Sequence, residues 1–479
     1  MSENNPDLAI ATGPFEATME SLRTFSCPEW FRDAKLAFWS HWGPQSVPMY
    51  GDWYARHIYV EGHDQYRHHW RVYGHPSRHG YKDIVPHWKA EEFDPEGLMD
   101  LFVAAGAKYF LGQAMHHDNF DNFDSAHNRW NSVNIGPRKD IVKLWQQAAQ
   151  KHGLKFGLTE HLAASFNWFG HNKLADKSGP YAGVPYDGNE PDYADLYYDN
   201  AGYTLDSGWY TDNAAFQLHW FQRIKDVIDK YQPDLLYSDG GLPFGEYGMK
   251  IVAHLYNTSA ALNGGSNRAV YNQKDTNPEV FTIGVLDIER GQLDGISEHP
   301  WQTDTSVGDW FYNVRDKYKT AEQVLETLVD ITSKNGCLAL NIPQKPDGTL
   351  DDECTYLLKQ MARWMPINGD GIFGSRPWRV AGEGAAAAEA GAFKENAVEW
   401  SPQDFRFTYN NGTVYAYQMN PSDQAHALIH SLGSDAGRVK RVQVHGHAPL
   451  RFNQSAEGLS VQLPPATLAG PRAIAVVLE

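Results

Sequence analysis

AAFQLHWFQRIKDVIDKYQPDLLYSDGG, residues Ala214–Gly241, holds one complete helix-to-strand step. Its first part reads as a helix that Pro233 closes. DLLYSDGG then reads as a short apolar strand, ending in Asp239 and two glycines. The same alternation extends from about Lys35 to Met365. KLAFWSHWG, AKYFLGQAMHH and KFGLTEHLAA are further strands with polar or aromatic ends. RKDIVKLWQQAAQKHG (Arg138–Gly153) and TAEQVLETLVDITSKNG (Thr320–Gly336) are further helices, and strand-like CLALNIP follows the second. Repeated strand–helix units imply a parallel sheet. Over roughly 300 residues, with polar residues collecting at strand C-terminal ends, they predict a (β/α)8-like, TIM-type barrel rather than an open sheet. Strands after Gly265 are hard to place, which allows an irregular barrel.

The tail is built differently. After GDGIFGSRPW (Gly369–Trp378), the run AGEGAAAAEAGAF (Ala381–Phe393) reads as a small-residue linker. FRFTYNNGTVYAYQMN, VKRVQVHG, LSVQLP and AIAVVLE then read as strands, with Asn411-Gly412 as a hairpin turn. A barrel domain with an N-terminal extension over residues 1–370 and a C-terminal antiparallel β-sandwich over 371–479 are expected.

Composition narrows the partners. A formal charge of −18 disfavours nucleic acid and anionic membrane surfaces. No apolar run is long enough for a membrane-spanning helix. Cys27, Cys337 and Cys354 form neither a CxxC pair nor a metal-ligand spacing, and argue against a disulfide framework. MSENNPDLAIATGPFE lacks the basic and apolar regions of a leader. The compartment stays open: cytoplasmic as written, periplasmic or secreted if a leader has been removed. P-loop and GxSxG motifs are absent. Aromatic residues reach 13%, with 16 Trp, and aromatic faces suit both a large core and the C–H faces of sugars.

Chemistry gathers at the strand ends. Asp239 suits a nucleophile or base, and equally a turn residue before glycine. In VLDIERGQLDG, Glu289 becomes an acid catalyst if burial or a neighbouring anion keeps it protonated. FWSHWGPQSVPMYGDWY supplies His41, Asp52, Trp53 and Tyr54. FGLTEHLAASFNWF supplies Glu160 and His161, and HPWQTDTSVGDW supplies His299, Trp301, Gln302 and Asp304. In MHHDNFD, His116 and His117 are a weak metal pair, because adjacent strand residues point to opposite faces. Hydrogen bonding to sugar hydroxyls fits them better.

Six segments occur in one order: WFRDAKLAFWSHWGPQSVPMYGDWY, MHHDNF, KFGLTEHL, PDLLYSDGG, HPWQTDTSVGDW and LALNIPQKPDGTL…INGDGIFGSRPW. From about Trp30 to Trp378 they resemble the retaining α-L-fucosidase family of glycoside hydrolases. The resemblance implies a barrel, a β-sandwich, and a double-displacement hydrolysis that needs no metal or cofactor. It places the nucleophile at Asp239 and an aromatic partner at Tyr237. Substrate-binding roles fall on His41, Asp52, Trp53, His116, His117, Glu160, Tyr237, Lys274 and Trp301, with Met115, Asn119 and Asp52 standing where Lys, Gly and Glu are usual. Lys274 replaces an arginine, Glu160 a tyrosine, and Gln302 a glutamate; Gln302 cannot donate the catalytic proton. Counting back from Trp301, which with Trp53 would shape the pocket, assigns the acid/base to Glu289. Glu298 and Asp304 are held in reserve. The implied partner is a fucosylated oligosaccharide or glycoconjugate. The departures leave two alternatives: a hydrolase of α-L-galactosides or modified fucosides, and a fucose-binding protein without turnover. Linkage preference and oligomeric state are not legible.

Overall fold

The computed structural model describes residues 8–421 and 426–479, so the first seven residues of the stretch read for a leader lie outside it. Eight parallel strands close into a barrel in chain order: β1 Leu36–Ser40, β2 Tyr109–Met115, β3 Lys155–Glu160, β4 Leu235–Ser238, β5 Val270–Gln273, β6 Val285–Asp287, β7 Trp301–Ser306 and β8 Gly336–Asn341. β1 pairs with both β2 and β8, which completes the ring. The helix read from Ala214 runs to Tyr231. Asn213 caps its start by accepting from the Phe216 amide, and Gln232 ends it in the left-handed region, one residue before Pro233.

The barrel is irregular where its sequence is hardest to read. Helices Pro95–Ala104, Ile141–Lys151, Ala214–Tyr231 and Glu246–Leu262 follow the first four strands, and Ala321–Ser333 and Asp352–Asn368 follow β7 and β8. Between β5 and β6 lies the four-residue helix Pro278–Phe281, and β6 runs into β7 through a loop. Strands this short, without a full helix between them, leave little periodic signal.

Side-chain alternation divides the apolar core in two. Ala37, Trp39, Tyr109, Leu111, Leu235, Tyr237, Val270, Val285, Cys337 and Ala339 fill the barrel. Their neighbours Leu36, Phe38, Phe110, Leu236, Tyr271, Leu286 and Leu338 pack outward in the larger core. This parity fixes which residue beyond each strand end faces the barrel axis.

The C-terminal part carries β9 Arg376–Glu383, β10 Phe405–Asn410, β11 Thr413–Gln418, β12 His426–Ile429, β13 Val439–Gln443, β14 Phe452–Ser455, β15 Gly458–Gln462 and β16 Arg472–Leu478. They form a sheet in the order β13-β16-β11-β10-β9 and another in the order β12-β15-β14, all antiparallel. Phe405, Phe407 and Val414 of one sheet share a core with Ile429, Leu459 and Val461 of the other, which makes a sandwich. Asn411 and Gly412, at φ 48° and 81°, form the β10–β11 turn, as a tight hairpin requires. The sandwich docks on the barrel helices through buried polar bonds. Arg406 pairs with Asp330, which Lys334 also contacts at 3.1 Å, and Trp364 Nε1 donates to the Pro471 carbonyl at 2.7 Å.

The small-residue run is not a free linker. Ala381–Glu383 complete β9, and the chain beyond them returns to the barrel mouth, where Gly391 bridges to Gln292 and Phe393 N–H donates to the Glu289 carbonyl. Small residues permit that close approach: a side chain on Gly291 would meet the Gly391 carbonyl at 1.9 Å. Among the described residues, no helix is long and apolar enough to cross a membrane.

Candidate active site

Strand parity continues past the strand ends and brings the chemistry together. Trp39 faces inward, so His41 does too; Tyr237 leads to Asp239, Val270 to Lys274, and Val285 to Glu289. On β7, Trp301 faces outward, so Asp304 faces in. His41, Tyr237, Asp239, Lys274, Glu289 and Asp304 line one cavity of about 570 Å³ at the C-terminal end of the barrel, with Asp52, Trp53, His116, His117, His161, Trp209, Trp310 and Phe393. That is the size and the face at which barrels bind small ligands.

Lys274 sits between the two candidate catalytic carboxylates. Its Nζ donates to Asp239 Oδ1 at 2.7 Å and to Glu289 Oε2 at 2.5 Å. Both bonds end on one nitrogen, so these two oxygens are no more than about 5 Å apart. The other Asp239 oxygen lies 3.2 Å from His117 Nε2 and 3.2 Å from His161 Nδ1. The Trp209 indole donates to the Asp239 carbonyl at 3.0 Å and fixes the strand end.

The same cation separates the two acids electrostatically. Burial alone would raise the Asp239 carboxyl, but Lys274 and the two histidines hold it well below the usual carboxylate range. For Glu289, burial outweighs Lys274, and with the charges of Asp304 and Asp239 it pushes the carboxyl up to about 7. Burial disfavours the Lys274 ammonium, yet Asp239, Asp304 and Glu289 together hold its pKa above the usual value. Asp304 accepts from the Tyr237 hydroxyl at 2.8 Å and lies 3.7 Å from Lys274. Tyr237 is thus tied down at 2.8 Å by Asp304, with Asp239 at 3.5 Å.

Several buried polar atoms of the cavity have no protein partner: His41 Nδ1, His161 Nε2, Asp52 Oδ1 and Asp304 Oδ1. Burial keeps the His41 and His116 imidazoles neutral and, with Asp309 nearby, raises the Asp52 carboxyl, so the wall offers both donors and acceptors. Gln45 orients His116 through Nδ1 at 2.9 Å.

His116 and His117 do not point to opposite faces. β2 stops at Met115, and both imidazoles turn into the cavity with ring centres 4.4 Å apart. The acids of the same stretch point away: Asp118 bonds Tyr81, and Asp121 pairs with the buried Arg223. Two sets, His41/His116/His161 and His117/His161/Asp239, have donor atoms close enough to hold an ion. Lys274 already occupies the Asp239 carboxylate, which opposes a divalent cation in the second set.

Three sequence assignments fail on geometry. Glu160 faces outward: its Oε2 accepts from the amides of Leu162 and Ala163 and from the Trp220 indole, so it braces the β3 turn. Trp301 begins β7 at the opposite end of the barrel and donates to the Lys334 carbonyl at 2.9 Å. Glu298 is exposed on the loop before β7, near that same end. Gln302 lies inside the barrel, bonded to Tyr109 and Asp287. The cavity also contains residues given no role from sequence: His161, Trp209, Trp310 and Phe393. Parity could have given His161, noted beside Glu160 from sequence without a role, its place in the cavity. The second tryptophan of HPWQTDTSVGDW, Trp310, takes the place expected of the first.

Residues 4–370 match the family profile described as Alpha-L-fucosidase. The tissue alpha-L-fucosidase of Rattus norvegicus is 28% identical over 464 residues, covering 93% of this chain and 88% of its own. The tissue alpha-L-fucosidase of Homo sapiens is 28% identical over 372 residues, covering 75% of this chain and 72% of its own. Among solved structures, an alpha-fucosidase of Thermotoga maritima in complex with fucose superposes with a TM-score of 0.74 at 23% identity, over 97% of this chain and 100% of that one. At that identity the likeness establishes the fold.

Proposed function

This chain belongs to the alpha-L-fucosidase family, and from that premise we propose that it removes terminal α-L-fucosyl units from glycans with retention of configuration. The observation that carries the proposal is the pair of carboxylates, Asp239 and Glu289, whose nearer oxygens share the Lys274 ammonium. A separation of no more than about 5 Å supports a double displacement, whose carboxyls stand about 5–5.5 Å apart; inverting pairs stand about 6.5–9.5 Å apart to admit a water. The electrostatics assign the roles. Asp239, held ionised, attacks the anomeric carbon. Glu289, protonated up to about pH 7, gives its proton to the leaving oxygen as the glycosidic bond breaks. The product is a β-fucosyl ester on Asp239. Water, losing a proton to Glu289, then attacks the same carbon, expels the carboxylate and releases α-L-fucose.

Lys274 steadies Asp239 in both charge states and must yield its Glu289 contact when substrate enters. The unpartnered atoms of His41, His161 and Asp52 are placed to bind ring hydroxyls, with His116 and His117 beside them. A buried polar atom without a partner is costly, and a sugar hydroxyl satisfies it. Trp53, Trp209 and Trp310 supply apolar walls for the ring and its methyl group.

The test is 4-nitrophenyl α-L-fucoside hydrolysis with azide. Asp239→Gly plus azide should yield β-L-fucosyl azide, and Glu289→Ala plus azide should yield α-L-fucosyl azide. The same anomer from both variants, or an active Asp239→Gly without azide, would overturn the assignment. Faster turnover of the matching α-L-galactoside would move the substrate to that sugar.

A further inference from the structure

We propose that Phe393, carried by the segment between barrel and sandwich, is the platform for the sugar that leaves, and so a specificity-determining residue. The inference rests on the proposed function and adds the leaving-group side of the site. Among the described residues Phe393 is the most exposed large apolar side chain, 68% exposed, yet it lines the catalytic cavity. Its backbone is held in the left-handed region at φ 57°, unusual for an aromatic residue.

The holding contacts are specific. Phe393 N–H donates to the Glu289 carbonyl at 2.8 Å, and Gly391 N–H donates to the Gln292 carbonyl at 2.8 Å. Two residues on, the Glu395 carboxylate accepts from Thr305 Oγ1 at 2.8 Å and Lys319 Nζ at 3.0 Å. The segment is therefore fastened to the loop that carries Glu289 and to the end of β7. An acid catalyst stands beside the oxygen it protonates, so the group attached to that oxygen lies on the acid's side. The hydroxyl-binding histidines are buried in the cavity wall, whereas Phe393 stands exposed in the same lining with its backbone bonded to the Glu289 carbonyl. An exposed aromatic face there suits the C–H face of a pyranose.

The decisive comparison is between substrates with and without a leaving sugar. Wild type and Phe393→Ala would be assayed on α-L-fucosyl fluoride and on α-1,2-, 1,3-, 1,4- and 1,6-linked fucosyl disaccharides. For the preferred disaccharide, Phe393→Ala should lose roughly tenfold in kcat/KM, mainly through KM, with fluoride hydrolysis within about twofold. Phe393→Trp should restore the disaccharide. Transfer from the fluoride to methyl β-D-galactopyranoside reads the same surface from the acceptor side, and Phe393→Ala should lower the ratio of transfer to hydrolysis. Unchanged disaccharide kinetics with an unchanged transfer ratio would overturn the platform, as would equal losses on fluoride and disaccharide. Wild type inert toward the fluoride would instead sink the fucosidase reading itself.

Discussion

The ends of β3 and β6 each present a glutamate, fully buried at Glu160 and partly buried at Glu289, and burial pushes both carboxyls up to about 7. Glu160 is the last residue of β3 and Glu289 lies two residues beyond β6. By residue type, position and acidity the two are nearly equivalent. They differ in parity. Glu160 faces the helix layer and closes a turn by accepting from two amides and an indole. Glu289 faces the barrel axis and meets a lysine shared with Asp239. A raised carboxyl thus marks burial, and only the partner it faces distinguishes a brace from an acid.

That contrast can be broken in order of effect. Asp239→Ala should lower kcat for 4-nitrophenyl α-L-fucoside by at least ~10⁴-fold, since it removes the carboxylate that forms the ester. Glu289→Ala should cost about 10²–10⁴-fold on a fucosyl disaccharide, and less on a fluoride leaving group that needs no proton. In wild type, kcat/KM should fall about tenfold per pH unit above about 7, as Glu289 loses the proton it must donate. The acid limb should lie below the usual carboxylate range, because Asp239 stays ionised there. Glu160→Gln, at the other strand end, should leave kcat/KM within about threefold. Glu160→Ala should lower unfolding free energy by about 1–3 kcal/mol for each donor left unpaired, measured by denaturant titration. An activity loss in Glu160→Gln as large as that in Glu289→Ala would erase the distinction.

Much of the site was legible because apolar strands announce their own parity. Counting in twos from Tyr237 reaches Asp239; the same count from Val270 and Val285 reaches Lys274 and Glu289 only once the structure has placed β5 and β6, strands too short to read, and the family resemblance supplied those two residues instead. The same count rejects Glu160 and selects His161, a signal that choosing by residue type overlooked. Trp301 misled because a motif does not say where a strand begins. His116 and His117 escape the count because β2 carries a register irregularity between Gln113 and Met115, just before it ends. Trp209 and Phe393 were illegible for another reason. Each comes from a long excursion whose composition says nothing of where it lands, and tertiary contacts alone aim it at the cavity. The hairpin at Asn411-Gly412 could be read because the turn's chemistry is local.

The return of residues 384–399 to the barrel mouth sets an order of events during synthesis. All eight barrel strands are complete by Asn341, and the helix that follows β8 ends at Asn368. Phe393 and Glu395 leave the ribosome only afterwards, and Arg406, the partner of Asp330, later still. A chain that ends near residue 370 therefore holds the sequence of all eight strands but lacks the fastening of the Glu289 loop and the arginine that pairs with Asp330. Competence arrives late, with the downstream segment as its last fitted part, so shortening the gene at the barrel's edge would remove a piece of the pocket along with the sandwich.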